Sequence, residues 1–187
     1  MGGAMSAPDA SAMRCSYGLL RWQFRLMHRL LDMAGDEISA EHSRGRSPGI
    51  IARAGACYAQ IAVCEDVSVH SALAVGLPLA LTNWAGRTGL SELPPLVGPI
   101  DWRAWTCRVQ LADVAALRAY TQAVHMMTDT CLAALADDAL DPPHDALPAR
   151  LLGALLLTMA MRHGEIACLL STSSPRAAAF PGLPTAL

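Results

Sequence analysis

The chain has 187 residues, of which 53% are apolar and only 5% aromatic, and its formal net charge is −2. That length holds one domain with a substantial core. With so few aromatics the core must be built from Leu, Ala, Val and Met, which suits packed helices better than a β-sandwich. The slightly acidic balance offers no basic field for a nucleic acid, so none is expected as a partner.

Residues 1–15 are small and polar and read as a flexible N-terminal tail. They contain no apolar run of the kind a secretory signal needs. A single domain is expected over 16–187. Its first helix runs from about Tyr17 to Ala34, with Leu19, Leu20, Gln23, Leu26, Met27, Leu30 and Leu31 on a broad face. Gly35 is placed to end that helix, and residues 36–48 read as a polar connection. The second helix starts near Ser47, with Pro48 in its first turn, and reaches about Val75. Successive helical residues turn by about 100°, which sets Arg53, Cys57, Gln60 and Cys64 on one stripe.

Residues 76–108 are rich in Gly, Pro and Trp and form a long excursion with room for one short helix. Such a segment either caps one end of a bundle or serves function. A third helix is expected from Leu111 to Asp137. Asp113 stands in its first turn, and Leu117, Tyr120, Val124, Met127 and Cys131 form its inner face. Residues 138–146, with Pro142 and Pro143, make a turn. The fourth helix begins near Leu147 and continues through Leu151–Leu170, and residues 172–187 read as an irregular tail. Four helices with short links between 1 and 2 and between 3 and 4, and a long link between 2 and 3, indicate an all-α four-helix bundle.

The fourth helix organises the functional reading. By the same 100° arithmetic, Leu151, Leu155, Thr158, Arg162, Glu165 and Leu169 share a stripe. A helix buries its leucine stripe, so Arg162 and Thr158 are expected to point inward, where a guanidinium needs a partner. The segment is about long enough to span a bilayer, but Arg162, His163 and Glu165 argue against a span, and no membrane is expected. The six cysteines, at 15, 57, 64, 107, 131 and 168, show no CxxC spacing. Reduced thiols in a cytoplasmic protein are the expectation.

Four segments carry a resemblance to a known superfamily. They are Leu20-Arg21-Trp22-Gln23; Ser47 to His70 with Ile61-Ala62-Val63-Cys64-Glu65-Asp66-Val67; Leu117-Arg118-Ala119-Tyr120 with Ala123-Val124 and Thr128-Asp129; and His163-Gly164-Glu165-Ile166. Pro181-Gly182-Leu183-Pro184 adds a matching tail. In their order and spacing, over roughly residues 19–184, they resemble the DinB-like superfamily, which includes mycothiol-dependent maleylpyruvate isomerase and bacterial thiol S-transferases. The resemblance implies a four-helix bundle, and many members hold a divalent metal through three histidines. One stands five residues before the second-helix glutamate, which is Gln60 here. The other two stand six and two residues before the fourth-helix glycine, which are Thr158 and Arg162 here. All three expected ligands are therefore replaced, and an arginine cannot ligate a metal because its guanidinium stays protonated.

On this reading no metal ligand and no cofactor is expected. Arg162, Gln60, Thr158 and His163 form the candidate catalytic group, with Arg162 as an anion anchor or oxyanion stabiliser and His163 as a base at the cavity rim. Glu65, Glu165, Cys57, Cys64 and Trp84 are candidates for substrate binding. Each also has a plainer reading: Arg162 as an ion pair with Glu165 or Glu65, Gln60 as its hydrogen-bond partner, Thr158 bonded to its own helix, the cysteines as small core residues. His28, His42, His70, His125 and His144 show no spacing that suggests a ligand set; a relocated site using His163 with Glu65 or Glu165 is the alternative.

The function so indicated is a metal-independent small-molecule enzyme performing cyclisation, isomerisation, addition or elimination. The lack of any lysine and the abundance of alanine fit a high-GC bacterial origin, where divergent bundles of this kind occur in specialised metabolism. One alternative is a thiol-cofactor transferase or isomerase using a divalent metal and a low-molecular-weight thiol. Another is a non-catalytic small-molecule binder or a homodimeric partner protein.

Overall fold

The computed structural model of the chain describes residues 16–45, 48–95, 99–135 and 147–173. It is an all-α four-helix bundle. Helix α1 spans Ser16–Ser43, α2 Pro48–Leu73, α4 Val114–Ala134 and α5 Leu147–Ser173, and the long link between α2 and α4 carries a 3-10 turn at Leu79–Leu81 and a five-residue helix α3 at Trp102–Thr106. Among the described residues there is no strand, only one isolated bridge between Leu90 and Leu111. The expected tail at 1–15, the turn at 138–146 and the segment from 174 onward lie outside the described residues.

Helix α2 is the centre. It packs most extensively on α5 and also meets α1, α4 and α3, and every residue from Ala54 to Val63 is buried. Alanines at 54, 56, 59 and 62 let neighbouring helices approach it on several sides, and the rest of the core is aliphatic with a few large rings: Phe24, Tyr120 and Trp105 are all below 2% exposed.

Helix α1 corrects two expectations. It does not stop at Ala34; residues 36–43 continue it, with Ile38 and Glu41 buried. Gly35 is mid-helix because of a close approach, since a Cβ there would stand 2.9 Å from the Tyr58 hydroxyl on α2. Its buried stripe is Phe24, His28, Leu31 and Ile38, while Gln23, assigned to the inner face, is exposed.

Helix α4 starts three residues later than expected, at Val114, because Asp113 is its N-cap rather than part of its first turn: the Asp113 side chain accepts from Ala116 N. Its buried face is Leu117, Tyr120, Thr121, Val124, His125, Thr128 and Leu132, with Met127 and Cys131 half-buried beside it.

The link between α2 and α4 is pinned rather than loose. Gly89, at φ +76°, lies so close to α4 that a Cβ would stand 2.2 Å from Asp113 O, and its carbonyl accepts from Ala112 N and Asp113 N. At the other end, Asp66 of α2 accepts from Leu79 N and Ala80 N, both at 2.9 Å, and from the Tyr120 hydroxyl at 2.8 Å. One stretch, Arg150–Thr172 in α5, has the length and mean hydropathy of a membrane span, and 22% of it is buried in the bundle.

Candidate functional site

The phase of α5 decides where the expected site falls. Its buried residues are Leu152, Leu155, Met159, Ile166 and Leu170, so the inward stripe is offset from the one expected, and Leu151 is 44% exposed. Arg162 therefore does not enter the core. It lies at the rim, one-third exposed, and donates from Nη1 to Glu165 Oε2 at 2.7 Å on its own helix. This is the plainer of the two readings of Arg162. Thr158 likewise donates to Ala154 O, the ordinary back-bond of a helical threonine.

Arg162 and Glu165 nonetheless face something. They line a groove of about 690 Å³ between α2, α5 and α3 with the segment that follows it, together with Arg53, Cys57, Arg103, Cys107, Arg108 and Gln110. Four arginines and one glutamate are among its lining residues. Arg53 Nη2 stands 3.6 Å from Glu165 Oε1, and Arg108 reaches Glu92 at 3.3 Å. Hydrogen bonding and charge from Arg162 hold the Glu165 carboxyl below its usual range, against the desolvation that opposes it. Burial pushes the Cys57 thiol up to about 11, and the neighbouring Glu165 charge adds to that, so Cys57 is no thiolate near neutrality.

The metal position implied by the resemblance does not fit these residues. Arg162 brings a positive charge already paired with Glu165, and the Thr158 hydroxyl is committed to Ala154 O. Gln60 is buried with Oε1 lacking a partner and is the one neutral donor left. The remaining expected site residues scatter. Burial lowers the pKa of His163, against a hydrogen bond with the backbone of Leu30 on α1. Cys64 lies 3.8 Å from Ser68 on its own helix. Trp84 packs on Tyr120 at 5.9 Å with Arg87 over its face, and does not line the groove.

Glu65 faces away from the groove, toward α1 and α4, and collects a set of groups of its own. Its Oε1 is 2.8 Å from His28 Nε2 and accepts from the Thr128 hydroxyl at 2.6 Å. His125 Nε2 stands 3.8 Å from its Oε2. The two imidazoles stack, with centroids 3.8 Å apart and planes within 8°. Burial raises the pKa of Glu65, but the two histidines and Thr128 together outweigh it and leave the pKa below the ordinary value, so the carboxyl is ionised and the His28 nitrogen facing it carries the proton. Desolvation drives His125 down to about 4, which keeps it neutral.

No spacing in the sequence marks these two histidines as partners, since they are brought together only by packing α1 against α4. Their helical phase was the available signal. His28 falls on the Phe24–Leu31–Ile38 stripe and His125 on the Leu117–Val124–Leu132 stripe, which makes each a polar residue at a core position. Compared with known proteins, the chain matches no family model, no curated protein and no solved structure.

Proposed function

We propose that the protein is a small-molecule binder whose ligand is an organic anion taken into the groove between α2, α5 and α3 with the segment that follows it. The observation that carries this is the imbalance of the groove lining: Arg53, Arg103, Arg108 and Arg162 with Glu165 as the one acidic lining residue and Glu92 reached by Arg108 outside it, in a chain whose net charge is −2. Guanidinium groups in a concave site suit carboxylates and phosphates, which they hold through paired hydrogen bonds. Binding is placed ahead of catalysis because no group identified in the groove is poised to move a proton near neutrality. Cys57 is too high, Glu165 is held low, and the arginines stay charged.

A second reading keeps the groove as the centre of a metal-independent enzyme, for cyclisation, isomerisation, addition or elimination. The pairing of Arg162 and Arg53 with one displaceable carboxylate favours it, since an incoming anion that took the place of Glu165 would meet two preplaced positive charges. Membership of the DinB-like superfamily, a bacterial cytoplasmic setting and a homodimeric state belong to the same proposal; the first rests on the sequence motifs, the second on composition and cysteine usage, and the third on the resemblance and the long link.

The test is calorimetric titration with malonate, citrate and pyrophosphate at low and physiological salt. Saturable binding that weakens at least about tenfold in Arg53→Ala and in Arg103→Ala is expected. Absence of binding to all three anions, or binding indifferent to both substitutions, would overturn the reading. Turnover of a bound anion would decide for the enzyme.

A further inference from the structure

The groove leaves the Glu65 cluster unexplained, and the cluster has a gap in it. Glu65 Oε2 and His125 Nε2 are both buried, neither has a hydrogen-bond partner, and they face each other across 3.8 Å. That is too long for a hydrogen bond between them. The other nitrogen of His125, Nδ1, stands 3.6 Å from Asp32 Oδ1. A neutral imidazole has one proton, and in the tautomer that carries it on Nδ1, the one metal ligation through Nε2 requires, the Nε2 lone pair stands opposite a carboxylate lone pair. Two acceptors buried face to face repel unless something positive, or something with hydrogens, stands between them.

We propose that His28, Glu65 and His125 bind a divalent first-row metal ion in the gap between Glu65 Oε2 and His125 Nε2, with zinc the ion best suited. Three observations carry it. The donor set is two imidazoles and a carboxylate, with ligand atoms all within 4.8 Å of one another, a combination used by zinc and by its divalent neighbours. The gap has the right span, because two donors about 2.1 Å from one ion can stand up to about 4.2 Å apart. All three side chains are buried, at 6%, 0% and 7% exposure, so bulk water does not compete for them.

In the structure the imidazole planes are parallel, so their lone pairs run side by side rather than converging. Loading the site therefore requires His28 to turn about its Cβ–Cγ bond, carry its proton on Nδ1 rather than Nε2, and exchange its Nε2 hydrogen bond to Oε1 for a bond to the ion. Thr128 continues to hold Oε1. The ion would tie α1, α2 and α4 together and would take no ligand from α5, where the superfamily resemblance puts two.

The test uses the full chain, stripped with a chelator and titrated with cobalt(II) and zinc(II) chloride. One equivalent of each is expected to bind, cobalt with the visible absorption of a nitrogen- and oxygen-ligated ion and zinc with a rise in unfolding temperature. Glu65→Gln and His125→Gln should each weaken binding more than about 100-fold, beyond what loss of an outer-shell group does. His42→Gln, at an exposed position, should leave it unchanged. The wild-type stoichiometry needs no variant to fold, so it decides first. A protein that takes up no stoichiometric cobalt or zinc holds a bridging water only, and the proposal fails. It also fails if ions bind with equal affinity in folded His125→Gln.

Discussion

Glu65 and Asp66 are neighbours on α2, both wholly buried and both carboxylates, yet the bundle treats them differently. Asp66 is saturated: two main-chain amides and the Tyr120 hydroxyl donate to it, and His70 Nδ1 stands 3.1 Å from its Oδ1. Glu65 has one oxygen served twice and the other not at all. A fully satisfied buried carboxylate is a fastener, here between α2, α4 and the start of the long link. A half-satisfied one, beside a second orphaned acceptor, is a place made for something else.

The comparison breaks if the two positions respond alike to loss of charge. Asp66→Asn should destabilise by about 3 kcal/mol in urea unfolding, because an amide nitrogen must face donors and the 3-10 turn loses its anchor. Glu65→Gln should lose about 1 kcal/mol, since the amide keeps an acceptor for His28 and Thr128 and can offer a donor to His125. A Glu65→Gln loss equal to that of Asp66→Asn would mean that Glu65 is a fastener too.

A carboxylate outside the pair sharpens the contrast. Asp129 on α4 receives bidentate hydrogen bonds from Arg21 and from Arg25 of α1, each starting at 2.7 Å, and its carboxyl is held well below the ordinary 3.8 by those two guanidinium groups. A carboxyl with a depressed folded pKa stabilises the fold above its unfolded value and ceases to do so as pH falls through the folded one. Stability should therefore decline from about pH 4 downward, and Asp129→Asn should remove about 1 kcal/mol at neutral pH together with that part of the acid slope. The smallest effect concerns Cys57. With its thiol near 11, iodoacetamide at pH 7.5 should leave it intact in the folded protein while the exposed Cys107 is modified, as read by peptide mass spectrometry.

Much of the fold was legible because single residues punctuate it. Pro48 opens α2 at the expected place, and Asp113 marks the start of α4, which falls three residues after the expected Leu111. Gly35 misled because a glycine after an apolar run reads as a helix end, and nothing local reveals that Tyr58, on another helix, needs the room. Arg162 misled for a different reason. Helix α5 is apolar nearly all round, with leucines at 151, 152, 155, 156 and 157, so its periodicity fits more than one phase. Packing on α2 selected the phase containing Leu152 and Met159 and left Arg162 at the rim. The groove was half visible, through Arg162, Glu165 and Cys57. Arg103 and Arg108 arrive from the long link, whose path no periodicity encodes.

The position of α2 has a consequence for how the molecule opens. A helix buried along Ala54–Val63 and shared by α1, α4 and α5 cannot lose one neighbour without exposing the surface that holds the others. Local excursions are then confined to peripheral elements such as the ends of α1. The amides in the middle of α2 reach solvent only when the whole bundle comes apart, so their hydrogen-exchange rate reports the global free energy of unfolding.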